Sequence, residues 1–179
     1  MAKYNLYLIT ALLLGLFSSC ISDSETGEAT FEEDLKEIEN FVKTTDIVSV
    51  REVTLGNTGI VLLFTQENEF GEVPEEGDSL FVDYTGYFLD GTVFDTSIEQ
   101  VARDNNLYNS TLPYEPYPIK LGYSQVIPGW HYALIQMKEG EKATALFPSR
   151  FAYGSSGRGA IAPNTVLAFD LELVEVRKQ

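Results

Sequence analysis

The apolar positions of the chain change period several times, and each change marks an element. Phe31, Leu35, Ile38 and Val42 recur at helical spacing among Glu and Lys, which predicts a helix over 31–42 with one apolar face. Residues 47–53 then predict a strand closed by Gly56-Asn57, and GIVLLFT (59–65) predicts a second, rich in β-branched residues. After a loop over 66–78 carrying Gly71, Pro74 and Gly77, Leu80, Val82, Tyr84 and Phe88 mark one face of a strand over 80–89. Asp90-Gly91 is a hairpin signal, and 92–94 returns. Ala143, Ala145 and Phe147 alternate within 141–148. The final strand, 165–177, sets Leu167, Phe169, Leu171 and Leu173 against Asp170 and Glu172.

One stretch among these strands is helical again. In VIPGWHYALIQM (126–137), Trp130, Ala133, Leu134 and Met137 share a face. Pro128 suits the start, since its fixed φ is already helical and its missing N–H would have had no partner. Gly140 offers the stop. Two segments follow neither period: a long polar one over 96–117, ending in LPYEPYP, and the Gly-rich YGSSGRGAIAPN over 153–164. Loops of that length are usually functional or mobile.

The N-terminus reads differently. Lys3 precedes an apolar run, Leu6 to Phe17. At about twelve residues it is too short to span a bilayer, which needs about 20. The length suits the apolar region of an export signal. The run closes in Leu16-Phe17-Ser18-Ser19 before the chain's only Cys. This resembles a bacterial lipoprotein signal, with residues 1–19 removed and Cys20 lipidated. Phe17 departs from the Leu usual there. The expectation is an exported chain without disulfides, anchored by lipid at Cys20 to the cell envelope, at the outer membrane, on its periplasmic or surface face. Residues 20–30, small and acidic, are expected to be a disordered tether. Residues 31–57 would supply the first helix and strand. That helix would dock on its own domain or form a dimer through 31–42.

Composition removes several classes of function. The chain has 179 residues and a formal charge of −15. Such a charge opposes nucleic-acid backbone, which needs a basic face, and electrostatic binding to anionic lipid. With one His and one Cys there is no His-rich metal site, and no metal or other cofactor is expected. A Ser-His-carboxylate triad would depend on His131, and no GxSxG elbow exists. His131 is expected to be an exposed helical residue without a role. The glycines of 154–159 lack GxxxxGK[ST] spacing and no helical pattern follows them, so they are not a phosphate loop. Asn109-Ser110-Thr111 matches a glycosylation sequon, which in a bacterial lipoprotein is read as chance. What remains is a set of aromatic residues near turns: Tyr84, Phe94, Tyr117, Trp130, Tyr153 and Phe169. Taken singly, each reads as core.

Taken in order, four motifs carry more: FVDYTGYFLDGTVFDTS (81–97), IKLGYSQVIPGW (119–130), FAYGSSG (151–157) and APNTVLAFDLELV (162–174). With their spacing, residues 58–176 resemble the FKBP-type peptidyl-prolyl cis-trans isomerases. The resemblance implies an α+β fold in which a curved antiparallel sheet wraps one short helix and encloses an apolar pocket. The isomerase domain would cover 58–179. It implies Tyr84, Phe94, Asp95, Tyr117, Val126, Ile127, Trp130, Tyr153, Ile161 and Phe169 as pocket residues. Trp130 would lie under the substrate proline, the Ile127 N–H and Tyr153 hydroxyl would hold carbonyls, and Asp95 would stand beside the twisting amide. Partners would be proline-containing polypeptides and macrolide-type inhibitors. Such chemistry needs no nucleophile, metal or acid–base pair. The competing reading is a holdase or binding module that grips proline-containing segments with little turnover. Three departures from the family pattern stand out. Tyr117 replaces the usual Phe, Arg158 falls where many members carry His, and an insertion at about 98–116 is expected to form a flap.

Overall fold

The computed structural model describes residues 23–179. The expected signal peptide and Cys20 lie outside the described residues. The elements in order are α1 (Asp23–Thr44), β1 (Arg51–Thr54), β2 (Val61–Gln66), β3 (Ser79–Tyr87), β4 (Val93–Thr96), α2 (Glu99–Asp104), β5 (Tyr117–Lys120), α3 (Pro128–Leu134), β6 (Lys142–Phe147) and β7 (Leu167–Arg177). The strands form one sheet in the order β1-β2-β6-β7-β3-β4, with β5 also paired to β3. Every pairing is antiparallel. Register shifts interrupt the ladders at Phe64/Gln66, Phe81/Val82 and Gly86/Tyr87. Each such irregularity bends its strand and adds twist, so the sheet curls rather than lying flat.

The concave face holds the main core. Leu62, Phe64, Leu80, Val82, Ala143, Ala145, Phe147, Leu167, Phe169, Leu171 and Leu173 are buried together with Trp130, Ala133, Leu134 and Met137 of the α3 region. Helix α3 can lie this close because Gly129 has no side chain. A Cβ there would fall 2.6 Å from a ring carbon of Phe147.

The convex face explains why the run Val61–Phe64 does not alternate. All four residues are buried. Leu62 and Phe64 face the main core, while Val61 and Leu63 join a second cluster with Ile38, Leu146, Val166 and Ala168. Helix α1 covers them through Ile38, with Phe41 and Val42 packed at the edge. Burying Ile38 and Phe31, which are 3% and 7% exposed, stabilises this docking by about 1.5–3 kcal/mol for each side chain.

Several expectations are corrected. Residues 23–30 are not a disordered tether: they are the first turns of α1, which begins eight residues before Phe31. No apolar face marks those turns, so periodicity could not reveal them. The first strand is Arg51–Thr54, shorter and later than 47–53. The segment 96–117 is not loop throughout, since it contains α2 and the start of β5. Helix α2 buries only Ala102, too little for a periodic signal, and an Arg103–Glu99 ion pair braces it. In β5, Pro118 stands opposite Phe81. The strand pairs only β3, so the missing N–H of Pro118 leaves no ladder bond unmade.

Candidate functional site

Trp130 enters the concave face one residue after Gly129, in the first turn of α3. Its indole is 5% exposed and meets three rings nearly at right angles. The centroid distances are 5.1 Å to Tyr84, 5.5 Å to Phe169 and 6.3 Å to Tyr117. Phe94 stands edge-on to Phe169 at 5.6 Å. Tyr84 and Phe169 come from adjacent strands, β3 and β7, whose register pairs Gly86 with Phe169. Gly86 is required here: a Cβ would lie 2.7 Å from both the Phe94 and the Phe169 rings. The aromatic walls therefore stand over bare backbone.

The cavity so enclosed has a volume of about 880 Å³. All ten residues singled out from the sequence line it: Tyr84, Phe94, Asp95, Tyr117, Val126, Ile127, Trp130, Tyr153, Ile161 and Phe169. Tyr117, 45% exposed, is a rim residue rather than a wall. Gln125, Ala152, Gly159 and Ala160 also line the cavity and were not foreseen. They are carried there by the backbone of the Ile127 and Tyr153 segments, and their side chains gave no signal of their own. No residue of 98–116 lines the cavity, so the insertion is not a flap over it. It folds on itself instead. Tyr108 and Tyr114 stack at 5.6 Å, the Arg103 guanidinium lies 3.5 Å over Tyr108, and the Asn109 N–H donates to the Tyr114 hydroxyl.

Polar groups join the aromatic rings in the lining. The Tyr84 hydroxyl donates to Asp95 Oδ2 at 3.0 Å, and Asp95 Oδ1 accepts the Thr96 N–H at 2.9 Å. Burial, reinforced by the neighbouring Asp95 charge, pushes the Tyr84 phenol well above its ordinary value. It therefore remains a donor, and the Asp95 carboxylate is held in one orientation. Ile127 is extended (φ −58°, ψ 143°), as the residue before a proline is expected to be. Among the described residues none accepts its N–H, and none pairs with the Tyr153 hydroxyl. Arg158 stands 5.6 Å over the Tyr153 ring, and a two-way backbone pairing with Ile161 closes its loop. The site thus offers an aromatic box and one oriented carboxylate, with the Ile127 N–H and the Tyr153 hydroxyl as donors and Tyr117, Gln125 and Arg158 adding polar groups to its lining.

His131 is not the bystander that was expected. Its Nδ1 accepts the Gly122 N–H at 3.1 Å and its Nε2 donates to the Ser124 carbonyl at 3.0 Å. It pins the turn leading to Val126 and Ile127, so its work is structural.

A second depression, of about 550 Å³, lies on the convex face between Ile47 and Val48 on one side and Ile98 and Val101 on the other. Its polar floor is already paired within itself. Tyr87 and Thr144 both donate to Asp170, Ser97 donates to Asp83, and Lys142 pairs with Glu172. The concave cavity, whose donors face open space, is the better candidate.

Comparison with known proteins agrees with the geometry. The family model described as FKBP-type peptidyl-prolyl cis-trans isomerase matches residues 71–174. The chain is similar to the FKBP-type peptidyl-prolyl cis-trans isomerase FkpA of Escherichia coli (strain K12), with 34% identity over 125 residues. That match covers 70% of this chain but only 40% of the relative. It is similar to the FK506-binding protein of Neisseria meningitidis serogroup C, again at 34% identity, over 66% of this chain and 97% of the relative. Among solved structures, a peptidyl-prolyl cis-trans isomerase from Pseudomonas syringae pv. tomato superposes with a TM-score of 0.62 at 27% identity. That superposition covers 84% of this chain and 96% of the other.

Proposed function

The chain belongs to the FKBP-type peptidyl-prolyl cis-trans isomerase family, and from that premise we propose that it isomerises X-Pro bonds of exported proteins in the Trp130 cavity. The observation that carries the reading is the meeting of Trp130, Tyr84, Phe169 and Phe94 around one box with unpaired donors at its mouth.

Rotation about a peptide bond costs about 18–20 kcal/mol because twisting destroys resonance. The planar amide carries more charge separation than the twisted one, and water stabilises the planar form more. A box that excludes water removes that preference, so it binds the twisted form relatively better. The proline ring would lie on the Trp130 indole. Tyr84, Phe94, Val126, Ile127, Ile161 and Phe169 would wall it in, with Tyr117 at the rim. The Ile127 N–H and the Tyr153 hydroxyl would take substrate carbonyls on either side of the bond, which fixes the segment without resisting rotation. Asp95, locked by Tyr84, would face the amide from the rim.

Isomerisation of an X-Pro peptide in a protease-coupled assay tests this. The wild-type chain is expected to accelerate the reaction, and a macrolide of the kind named by the Neisseria relative is expected to suppress it. Asp95→Val should lower kcat/KM about tenfold, equivalent to about 1.4 kcal/mol. Rates at background for the wild type, or an unaltered rate for Asp95→Val, would each count against the assignment. A holdase without turnover is not favoured, because the insertion that would serve it stands away from the cavity.

The pattern ending in Cys20 supports lipid anchoring to the cell envelope. An intact mass of the mature chain showing acyl groups on Cys20 tests it, and an unmodified mass sinks it. The apolar face of α1 is occupied by the chain's own sheet. A dimer through 31–42 would have to use the outer face carrying Glu32, Glu33 and Lys36, which supports a single-chain reading.

A further inference from the structure

Helix α1 carries an acid where its periodicity demands an apolar residue. Asp34 lies three positions after Phe31 and four before Ile38, on the docked face, and is 3% exposed. A carboxylate buried in such a face is costly unless its charge is met by donors. Its donors come from one residue 115 positions away. The Ser149 N–H and the Ser149 hydroxyl both donate to Asp34 Oδ2, at 2.8 and 2.7 Å. Ser149 opens the short helical turn Ser149–Phe151, and Pro148 before it has no N–H to offer. The Asp34 carboxylate therefore caps a turn that has no cap of its own.

That turn leads straight into the cavity. The Phe151 N–H bonds to the Pro148 carbonyl and the Ala152 N–H to the Ser149 carbonyl, which hand the constraint on to Ala152 and Tyr153, both cavity residues. The helix grips the same turn at two further points. The Arg150 guanidinium lies 3.1 Å over the Phe31 ring and donates to the Asn57 carbonyl. Gly59 brings Leu35, Phe31 and Pro148 together, since a Cβ on it would collide with Leu35. Helix α3 meets the turn only through Tyr132, edge-on to Phe151 at 5.5 Å, whereas α1 holds its first residue by hydrogen bonds, and α1 lies wholly outside residues 71–174 that the family model matches.

We infer that Asp34 is a positioning residue for Tyr153: through its two bonds to Ser149, helix α1 sets where the Tyr153 hydroxyl meets a substrate carbonyl. The inference rests on the isomerase reading of the cavity. It makes the N-terminal helix a working part of the site, although α1 packs on the opposite face of the sheet.

The test uses the full chain with Asp34→Ala, Asp34→Asn, Ser149→Ala, Tyr153→Phe and the Asp34→Ala/Tyr153→Phe double variant. Rates are measured at a temperature where circular dichroism shows each fully folded. Displacing a positioned group by a fraction of an ångström to 1 Å can cost up to about a hundredfold. A fall of about tenfold in kcat/KM is expected for Asp34→Ala, with smaller falls for Asp34→Asn and Ser149→Ala. In the Tyr153→Phe background, Asp34→Ala should cost little more. Amide exchange over 149–157 should quicken in Asp34→Ala. An equal fall in both backgrounds would show action by another route and overturn the inference, as would wild-type kcat/KM in the three single variants at Asp34 and Ser149. Should Asp34→Ala not fold, Asp34→Asn and Ser149→Ala carry the same comparison. An inactive wild-type chain would defeat the isomerase reading instead. Exchange then decides the inference, which fails if protection over 149–157 is unchanged.

Discussion

Trp130→Ala is expected to produce the largest loss of any single substitution in the cavity, in stability and in turnover together. The indole is 5% exposed and touches Tyr84, Phe169 and Tyr117. Truncating a buried Trp costs about 3–5 kcal/mol through lost burial and the hole left behind. Each aromatic pair adds about 0.5–1.5 kcal/mol beyond its area. Urea denaturation reads that part. The functional part is read below the transition, where the folded variant has lost the surface on which the proline would lie. A fall of at least tenfold in kcat/KM is expected, worth about 1.4 kcal/mol or more of transition-state binding. Trp130→Phe keeps a flat apolar floor and should recover much of both. A Trp130→Ala chain with normal stability would contradict the packing described, and one with normal turnover would remove the proposed floor.

The second large effect is expected far from the cavity, at Glu141. This acid is 2% exposed at the head of β6. Its Oε2 accepts the Lys138 N–H at 2.9 Å, and both oxygens accept from Arg51 Nη2, at 3.1 and 3.2 Å. Arg51 is itself laid over the Phe64 ring at 3.4 Å and also pairs with Glu67. The carboxylate thus joins β1, β2 and the entry to β6. Arg51 is a third exposed and keeps Glu67 when Glu141 is removed, so the loss is chiefly that of hydrogen bonds to a charged group, about 1.5–3 kcal/mol. Glu141→Ala should lose about that much in chemical denaturation, and Arg51→Ala/Glu141→Ala should lose less than the single losses added. A Glu141→Ala loss below about 1 kcal/mol would show that the pair is solvated and of little weight.

What was legible in the sequence divides along physical lines. Strand β7 was legible because its alternation is enforced by burial on one side, with Leu167, Phe169, Leu171 and Leu173 inside and Asp170 exposed. The run Val61–Phe64 announced a strand, although only α1 docked behind it explains why it is apolar throughout. The cavity residues were not legible from period at all. Trp130, Tyr84 and Phe169 obey the same spacing as core residues, and only the order of four motifs grouped them. Asp34 and Glu141 were invisible, since their partners Ser149 and Arg51 lie 115 and 90 residues away. His131 was misread for the same reason: helical spacing exposes it, but its ring bonds belong to the turn at Gly122 and Ser124. Helix α2 was missed because it buries only Ala102, and the first turns of α1 because their sequence carries no apolar face.

The chain contains a single indole, and it is the floor of the cavity. Its ultraviolet emission therefore comes from one place only, between Tyr84 and Phe169. Any guest that settles there must change the quenching or wetness of that one fluorophore, while events elsewhere on the fold leave no Trp signal of their own. The protein carries its own occupancy gauge, which can weigh how tightly a segment is held without waiting for any bond to turn.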